Sequence, residues 1–503
     1  MSETSTPRVA ATVRSKNPLK GAVEILPQRL YYAALKTPPP SHNILASTPR
    51  RHDDGKKDPK KQIHFFNMDN ELIYWNFFLD FGPLNLGQLI RFSNRLNDKL
   101  RKFPVVCFYS TTLPAKRANA IFLISAWQML FLGRSPEQAY KGFAKTLTNS
   151  PRHRNTTLVT SNVFPDTAAT CSLPPVSASQ GAVTIAPLPN FHDASPCECT
   201  YDITVMDCLH GLAAALTHGF FDLDTFDVDE YEHFEQVENG DLNWLCKDRI
   251  LAFAGPSYER HVSPEGYCTL APADYIPYFL EKKVSLVVRL NKKAYHEEDF
   301  VEAGINHVEA FFLDGSCPPM SILHGVVEAF ESVPADEAFA VHCKAGLGRT
   351  GTCIGAYLMK HYRMTAVECI AWMRICRPGC VIGPQQEFLE KIQPMFWQEG
   401  EAAGLIERPL ALVAADDNDD KEETEKQEVV ETTEETPPPT NNDEEVTGRS
   451  GQAEGLLAAR TRRNGKPSSP STTPSRKVQP PPAPITPEKS VVAAESNGTT
   501  LRC

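Results

Sequence analysis

Residues 342–351 read His-Cys-Lys-Ala-Gly-Leu-Gly-Arg-Thr-Gly and place Cys343 six residues before Arg349. A free thiol titrates near pH ~8.5, so it is a nucleophile at neutral pH only where its surroundings stabilise the thiolate. Glycines let loop amides turn toward an anion, and a guanidinium fits two phosphate oxygens. The spacing predicts a phosphate dianion held against a thiolate, in preference to a buried structural cysteine. The predicted phosphate-binding loop is Lys344, Ala345, Gly346, Leu347 and Gly348, and the flanking His342 and Thr350 are predicted catalytic residues.

Strand and helix signals flank this loop. Residues 338–342 form a short apolar run typical of a buried strand, and residues 352–362 continue with helical periodicity. A strand, a glycine-rich loop and a helix N-terminus in this order concentrate positive potential on a bound anion. The loop lacks the Gly-Lys-Ser/Thr ending of a nucleotide-binding P-loop, so a nucleotide site is the poorer interpretation.

A thiolate needs a proton donor to expel an alkoxide from a phosphate ester. Asp314 follows a predicted strand and could donate that proton, then accept one from water in a second step. The same residue could simply close an Asp-Gly turn, and the nearby cysteine loop favours the general acid. Downstream, Gln386 in the punctuated segment 377–386 could orient the hydrolytic water, and capping of the next helix is nearly as good an explanation.

Composition divides the 503 residues into parts. The net charge is −11, but residues 416–445 alone hold 14 acidic residues and two lysines, so the acidic balance belongs to a tail. The 14 cysteines lack metal-ligand spacing, no apolar leader opens the sequence, and the longest apolar run, 120–133, is too short for a bilayer. We expect a soluble protein of a reducing compartment with free thiols and no bound metal.

The expected domain organisation follows these composition shifts. The divisions are a flexible basic segment at 1–60, a first domain at 61–210 with an insertion at 150–190, an acidic linker at 211–245, a domain carrying the cysteine loop at 246–400, and a disordered tail at 401–503. Paired basic residues at 50–51, 56–57 and 60–61 are compatible with nuclear import, and equally with a solvated linker.

The first domain contains a similar order of a strand, a cysteine, an arginine and a helix. A strand-like run at 105–110 holds Cys107, and a helical run begins near Arg117. Ten residues rather than six separate Cys107 from Arg117, and no glycine lies between them, so this loop cannot form the same cradle. We hypothesise a duplicated fold whose first copy is inert and serves recognition; coincidental similarity of helix–loop units is the alternative.

Residues 222–241 carry nine acidic residues and no lysine or arginine. Such a run is usually a solvated face. Between two copies of one fold it could instead line a groove, which would attract substrates with basic residues near the phosphate and discourage nucleic acid and anionic lipid.

Taken together, these motifs resemble those of protein tyrosine and dual-specificity phosphatases. More narrowly, the chain resembles the cell-division-cycle-fourteen phosphatases, which reverse cyclin-dependent-kinase phosphorylation at mitotic exit. Besides the cysteine loop, the matching segments are 69–74, 80–85, 116–120, 229–235, 238–244, 312–316 and 377–386, and they span about residues 63–400.

The resemblance implies an α/β fold of two tandem dual-specificity-phosphatase-like domains joined by a linker helix, with only the second domain catalytic. It implies Cys343 as nucleophile, Arg349 as phosphate clamp and Asp314 as general acid, without a cofactor. It also implies an acidic groove for phosphoserine followed by proline and a later basic residue, formed here by Glu232, Glu235 and Asp241. Two departures are the 150–190 insertion and Cys380, which replaces the serine usual in the family.

Two other functions stay open at this point. A phosphoinositide phosphatase usually carries a second lysine in the loop, where this chain has Leu347. A non-catalytic phosphoprotein scaffold would need a broken loop or a missing acid. The expected partners are phosphoproteins with Ser/Thr-Pro sites and, as regulator, a cyclin-dependent kinase acting on Thr48, Thr473 and Thr486, in the nucleus, cytoplasm or division apparatus, without a membrane or nucleic-acid partner.

Overall fold

Two five-stranded sheets, one in each half of the chain, form the framework of the protein. The computed structural model describes residues 19, 21–46, 61–147, 188–196, 199–262, 268–406 and 456. The predicted insertion and the tail therefore lie almost wholly outside the described residues, as do Thr48, Thr473 and Thr486. Within the described ranges no helix has both the length and the apolar character that a bilayer crossing requires.

The first sheet has the spatial order β1-β2-β5-β4-β3. Strands β2, β5 and β4 run parallel, while β1 and β3 pair antiparallel at the two edges. The elements of this half are β1 (Val23–Leu26), β2 (Leu30–Leu35), β3 (Asn43–Ala46), β4 (Lys61–Phe66), α1 (Leu86–Lys102), β5 (Val106–Thr111), α2 (Pro114–Leu132), α3 (Pro136–Leu147), β6 (Phe191–His192) and β7 (Asp202–Ile203).

This sheet begins earlier in the chain than the sequence predicts. The segment 1–60 was expected to be flexible throughout, yet β1, β2 and β3 lie within it. The run Leu30–Tyr31–Tyr32 is buried in the core, since its apolar side chains fill both faces of a parallel strand. A composition averaged over sixty residues conceals so short a strand, and the predicted boundary at residue 60 is corrected to the start of β1.

The second sheet has the spatial order β13-β12-β14-β9-β8, with β14 at its centre and parallel to both neighbours. All six residues of β14 are buried. The elements are α4 (Val205–Thr217), α5 (Val228–Phe234), β8 (Leu242–Cys246), β9 (Ile250–Ala254), β10 (His261–Val262), β11 (Cys268–Thr269), α6 (Pro272–Glu281), β12 (Val284–Arg289), α7 (Glu298–Glu302), β13 (Asn306–Glu309), α8 (Met320–Glu331), β14 (Ala338–Cys343), α9 (Gly348–Tyr362), α10 (Ala366–Cys376) and α11 (Pro384–Ala402).

The two sheets share a layout that fits the predicted duplication. In each, an antiparallel hairpin forms one edge, and the central strand leads directly into a long buried helix: β5 into α2, and β14 into α9. Parallel strands place their carboxyl ends at one edge of a sheet, where ligand sites form in open α/β folds. The cysteine loop follows β14 at that edge.

The segment between the halves is not a single helix. The predicted linker at 211–245 divides into the end of α4, the short helix α5 and the start of β8. Helix α4 packs so tightly on α10 that a Cβ on Gly211 would lie 2.8 Å from the Glu368 carbonyl oxygen. From α5, the Tyr231 hydroxyl donates a hydrogen bond of 2.7 Å to the Cys376 carbonyl oxygen. One hydrophobic core therefore runs through both halves.

Candidate active site

Cys343 is the last residue of β14 and is 3% exposed. The next four residues turn sharply before α9 begins at Gly348. Gly346 has φ +65°, and a Cβ there would lie 2.0 Å from the Phe253 carbonyl oxygen, so only glycine fits. The loop consequently brings the thiol to the N-terminus of a fifteen-residue helix.

Arg377, which the sequence analysis did not single out, holds this loop from behind. Its fully buried guanidinium donates from Nε to the Gly346 carbonyl oxygen (2.7 Å) and from Nη2 to the Ala345 carbonyl oxygen (3.1 Å). On the other side it forms an ion pair with the Asp241 carboxylate at 2.9 Å and donates to Asn243 Oδ1 at 2.8 Å. A buried charge needs such full pairing, and here the pairing fixes the loop backbone.

These contacts of Arg377 fix the orientation of the backbone N–H groups in the loop. Across a trans peptide, a carbonyl oxygen and the next N–H group point in opposite directions. Because the Ala345 and Gly346 carbonyl groups face Arg377, the N–H groups of Gly346 and Leu347 face away from it. No hydrogen bond from these two N–H groups is found within the described residues. They are available to an anion that also feels the positive end of α9.

Arg349 and Asp314 meet at the same loop. Arg349 Nη1 donates to the Phe312 carbonyl oxygen at 3.0 Å, and Nη2 forms an ion pair with Asp314 Oδ1 at 3.0 Å. The arginine is 4% exposed, and its buried Nε has no hydrogen-bond partner among the described residues. A phosphate oxygen would satisfy this donor, and the ion pair places a carboxyl group beside the same pocket.

The Cys343 thiol is electrostatically poised toward ionisation. Burial by itself raises the pKa of Cys343, but the positive charge of Arg349 and the hydrogen bonds from the Thr350 hydroxyl and backbone N–H lower it, and the net pKa is below the ordinary value. The buried Thr350 hydroxyl has no nitrogen or oxygen partner among the described residues. The positive charge of Arg349 and the two hydrogen bonds from Thr350 therefore stabilise the thiolate against the cost of burial.

His342 is a positioning residue rather than a charged participant. Its ring is fully buried, and burial lowers its pKa to about 3, so the imidazole is neutral at physiological pH. Nδ1 donates to the Cys343 carbonyl oxygen at 3.0 Å, which leaves Nε2 to accept from the Tyr295 hydroxyl at 2.7 Å. The Tyr295 oxygen in turn lies 2.8 Å from His307 Nε2. This neutral chain fixes the end of β14.

The structure assigns the two glutamines of α11 differently from the sequence prediction. Gln386 is fully buried and pairs with the Arg374 guanidinium, and its Nε2 donates to the Gly383 carbonyl oxygen at 3.2 Å. A role for Gln386 at the hydrolytic water is therefore not supported, because its amide is committed elsewhere. Gln385 instead lies against the loop, since a Cβ on Gly348 would be 2.6 Å from Gln385 Oε1.

The three acidic residues that were predicted to line the groove differ in their exposure and their partners. Asp241 is 1% exposed and is paired with Arg377, so it cannot face a substrate, and its predicted place in the groove is corrected to a support of the cysteine loop. Glu232 and Glu235 are partly exposed on and after α5. The Glu232 carboxylate pairs with the Arg91 guanidinium of α1, and Asn85 Nδ2 donates to both Glu235 oxygens at 3.0 Å.

The remaining loop residues differ in exposure. Ala345 and Leu347 are buried, whereas Lys344 is partly exposed beside the thiol. The corresponding loop of the first half is shorter, because only two residues separate β5 from α2. Cys107 there is fully buried, and burial raises its pKa. The predicted absence of a second cradle agrees with this geometry.

Of the three residues that the sequence analysis missed, Arg377 alone had a sequence signal, and it was weak. Arg377 directly follows the apolar end of α10 as its C-cap and precedes Pro-Gly, and a charge next to an apolar segment requires a partner if it is buried. Tyr295 and Gln385 give no local signal, because their roles depend on contacts with His342 and Gly348 respectively, which are distant in sequence. Only the folded chain identifies them.

Family models match each half of the chain. The N-terminal half of the dual specificity protein phosphatases matches residues 24–163. A DSP-PTPase phosphatase of polymorphic toxin systems matches residues 266–363, which include the cysteine loop. These matches confirm the predicted fold of two dual-specificity-phosphatase-like domains.

Curated relatives match most of the chain. It is 43% identical over 390 residues to dual specificity protein phosphatase CDC14AB of Danio rerio, covering 77% of this chain and 54% of that protein. For human CDC14A the identity is 42% over 387 residues, covering 76% and 55%. The chain thus spans about half the length of these relatives.

The solved structures that match are much less similar to this chain than the curated relatives. The crystal structure of PTPMT1 in complex with PI(5)P is 20% identical and covers 31% of this chain and 95% of its own, but with a TM-score of 0.26. A likeness that low carries no argument about function. Human CDC14C, in contrast, is 41% identical over 343 residues, which are 67% of this chain and 68% of that protein. The chain accordingly belongs to the CDC14-type dual-specificity protein phosphatases of the protein tyrosine phosphatase superfamily.

Proposed function

We propose that the protein hydrolyses phosphoserine and phosphothreonine, and also phosphotyrosine, through a cysteinyl-phosphate intermediate formed on Cys343. The observation that carries the proposal is the buried Cys343 thiol beside Arg349, in a loop where the N–H groups of Gly346 and Leu347 have no hydrogen-bond partner among the described residues. Its substrates are proline-directed kinase sites, and its role is to reverse cyclin-dependent-kinase phosphorylation in the nucleus and cytoplasm during cell division. Membership of the CDC14-type phosphatases supports that role.

In the first step, the Cys343 thiolate attacks phosphorus and a sulfur–phosphorus bond forms. The bond between phosphorus and the substrate oxygen breaks, and the Asp314 carboxyl group gives its proton to that oxygen. Arg349 and the loop amides hold the equatorial oxygens throughout. The contact of 3.0 Å between Arg349 Nη2 and Asp314 Oδ1 supports roles for both residues at one pocket.

In the second step, water attacks phosphorus and the sulfur–phosphorus bond breaks. The Asp314 carboxylate takes the proton of the attacking water, orthophosphate leaves and the thiolate is restored. Of the two glutamines, Gln385 rather than Gln386 has its amide near this pocket, against Gly348.

Substitution of the nucleophile tests the covalent mechanism. Cys343→Ser lowers turnover of a phosphoserine-proline peptide by about four orders of magnitude or more, because the hydroxyl is not ionised by the same surroundings. The peptide still binds, and mass spectrometry of quenched wild-type protein detects a phosphorylated Cys343.

The matched control is Cys353→Ala on α9, a fully buried cysteine that is expected to leave turnover unchanged. Equal release of phosphate by wild type and Cys343→Ser would contradict the mechanism. A wild-type preference for phosphoinositides over every phosphopeptide would contradict the substrate class.

Comparison of two leaving groups tests whether Asp314 is the general acid. Asp314→Ala lowers kcat for a phosphoserine peptide by about 10²–10⁴-fold, since an alkoxide cannot leave without a proton. The fall is much smaller for p-nitrophenyl phosphate, whose phenolate leaves unaided. Asp336, exposed near the amino end of β14, is the control carboxylate. An equal fall for both substrates would place the acid elsewhere.

The preference for a basic residue after the proline rests on Glu232 and Glu235. In the unliganded protein, Glu232 already has a cation, because Arg91 contacts both of its oxygens and also Asp229 at 3.0 Å. A basic substrate side chain must therefore compete with Arg91 for this carboxylate. The pair is partly exposed, so the competition is modest in energy.

Removal of Arg91 tests this competition. Arg91→Ala raises kcat/KM for a peptide with a basic residue by about two- to five-fold, the range expected of a partly exposed ion pair, and leaves a neutral peptide unchanged. The control is Arg95→Ala, one turn further along α1, where the arginine pairs with Glu71 at 3.1 Å. The groove account fails if Arg91→Ala changes both peptides equally.

A further inference from the structure

Asp193 lies in the first half of the chain but contacts the second. Its carboxylate is 3% exposed and follows β6 directly. Oδ2 accepts a hydrogen bond of 2.7 Å from the backbone N–H of Gly383, 190 residues further on, and another from the Ser195 hydroxyl. A buried carboxylate in this position is costly unless it is bonded, so the contact between the halves is a specific one.

The Gly383 N–H group lies at the N-terminus of α11. Gly383 is the N-cap residue, with φ +59°, and it has no side chain with which to cap the helix. Pro384 then occupies the first turn without an N–H of its own. Asp193 supplies from another part of the chain the negative charge that a helix N-terminus favours. Its carboxylate thereby fixes where α11 begins.

The first turn of α11 carries Gln385, which touches both parts of the active site. Its side chain is 1% exposed, and Nε2 donates to the Ser316 carbonyl oxygen at 3.0 Å, two residues beyond Asp314. Its Oε1 lies against Gly348, the first residue of α9. Gln385 thus braces the loop that carries the acid against the helix that follows the nucleophile.

We infer that Asp193 is a positioning residue for catalysis, acting through Gly383 and Gln385 to hold the Asp314 loop over the cysteine loop. The inference rests on the proposed function and deepens it: the half without a nucleophile contributes to proton transfer. Asp193 itself touches neither substrate nor reacting atoms. Its removal displaces the acid more than the phosphate pocket, because Arg377 holds that pocket independently.

The test compares two leaving groups in the full-length protein. Asp193→Ala lowers kcat for a phosphoserine peptide by about ten-fold, the order expected from losing a buried hydrogen bond to a charged group. The fall for p-nitrophenyl phosphate is two-fold or less, and inhibition by tungstate, which reports the phosphate pocket, is unchanged. Asp193→Asn keeps an oxygen that can accept from Gly383 and recovers most of the activity.

Asp80→Ala is the matched control. Asp80 is also a buried carboxylate of the first half, and it accepts from the N–H groups of Phe77 and Phe78 and from the Tyr74 hydroxyl, each at 2.7 Å. Among the described residues it has no hydrogen bond to the second half. Its loss lowers the unfolding temperature but affects both substrates to the same extent. Adding Asp193→Ala to Gln385→Ala lowers kcat no further than Gln385→Ala alone, because both act through one brace.

Equal effects of Asp193→Ala on the two substrates would overturn the inference, as would fully additive effects with Gln385→Ala. If Asp193→Ala does not fold, Gln385→Ala alone decides: a fall confined to the phosphoserine peptide supports the brace, and an equal fall for both substrates refutes it. A wild-type protein inactive on both substrates would instead refute the proposed function.

Discussion

The buried guanidinium of Arg377 is the constraint on which the site depends. It donates hydrogen bonds to the Ala345 and Gly346 carbonyl oxygens and fixes their direction. The N–H groups of the following residues therefore face the opposite side, where the anion is expected to bind. Its charge is balanced by Asp241 at the junction of the two halves. The loop backbone is thus preorganised before phosphate arrives.

Preorganisation matters because burial alone would disfavour the thiolate. Cys353 on α9 is also fully buried, and there burial outweighs the charge of Arg349 and raises the pKa. Cys343 differs by lying beside Arg349 and Thr350, whose charge and hydrogen bonds outweigh burial and lower its pKa. His342 stays neutral and adds position rather than charge. One strand end therefore combines a low-dielectric pocket with local positive potential.

The sequence predicted what depends on local spacing and could not predict what depends on distant contacts. The cysteine loop, the flanking strand and helix, and the duplicated fold all follow from residues close in sequence. Whether Gln385 or Gln386 lies against Gly348 depends on which face of α11 meets α9, and a one-residue shift reverses it. Asp241 looked like its exposed neighbours, but its partner Arg377 lies 136 residues away. The early strands were hidden by polar surroundings.

The ionisation of Cys343 is the central claim, and alkylation measures it directly. The rate of reaction of Cys343 with iodoacetamide, followed by peptide mass spectrometry across pH, should reach half its maximum well below the pH ~8.5 of a free thiol. Arg349→Ala should move that midpoint upward, because the Thr350 hydrogen bonds alone then oppose burial, and Arg349→Lys should move it less. A wild-type midpoint at or above that of a free thiol, unchanged in Arg349→Ala, would contradict the account.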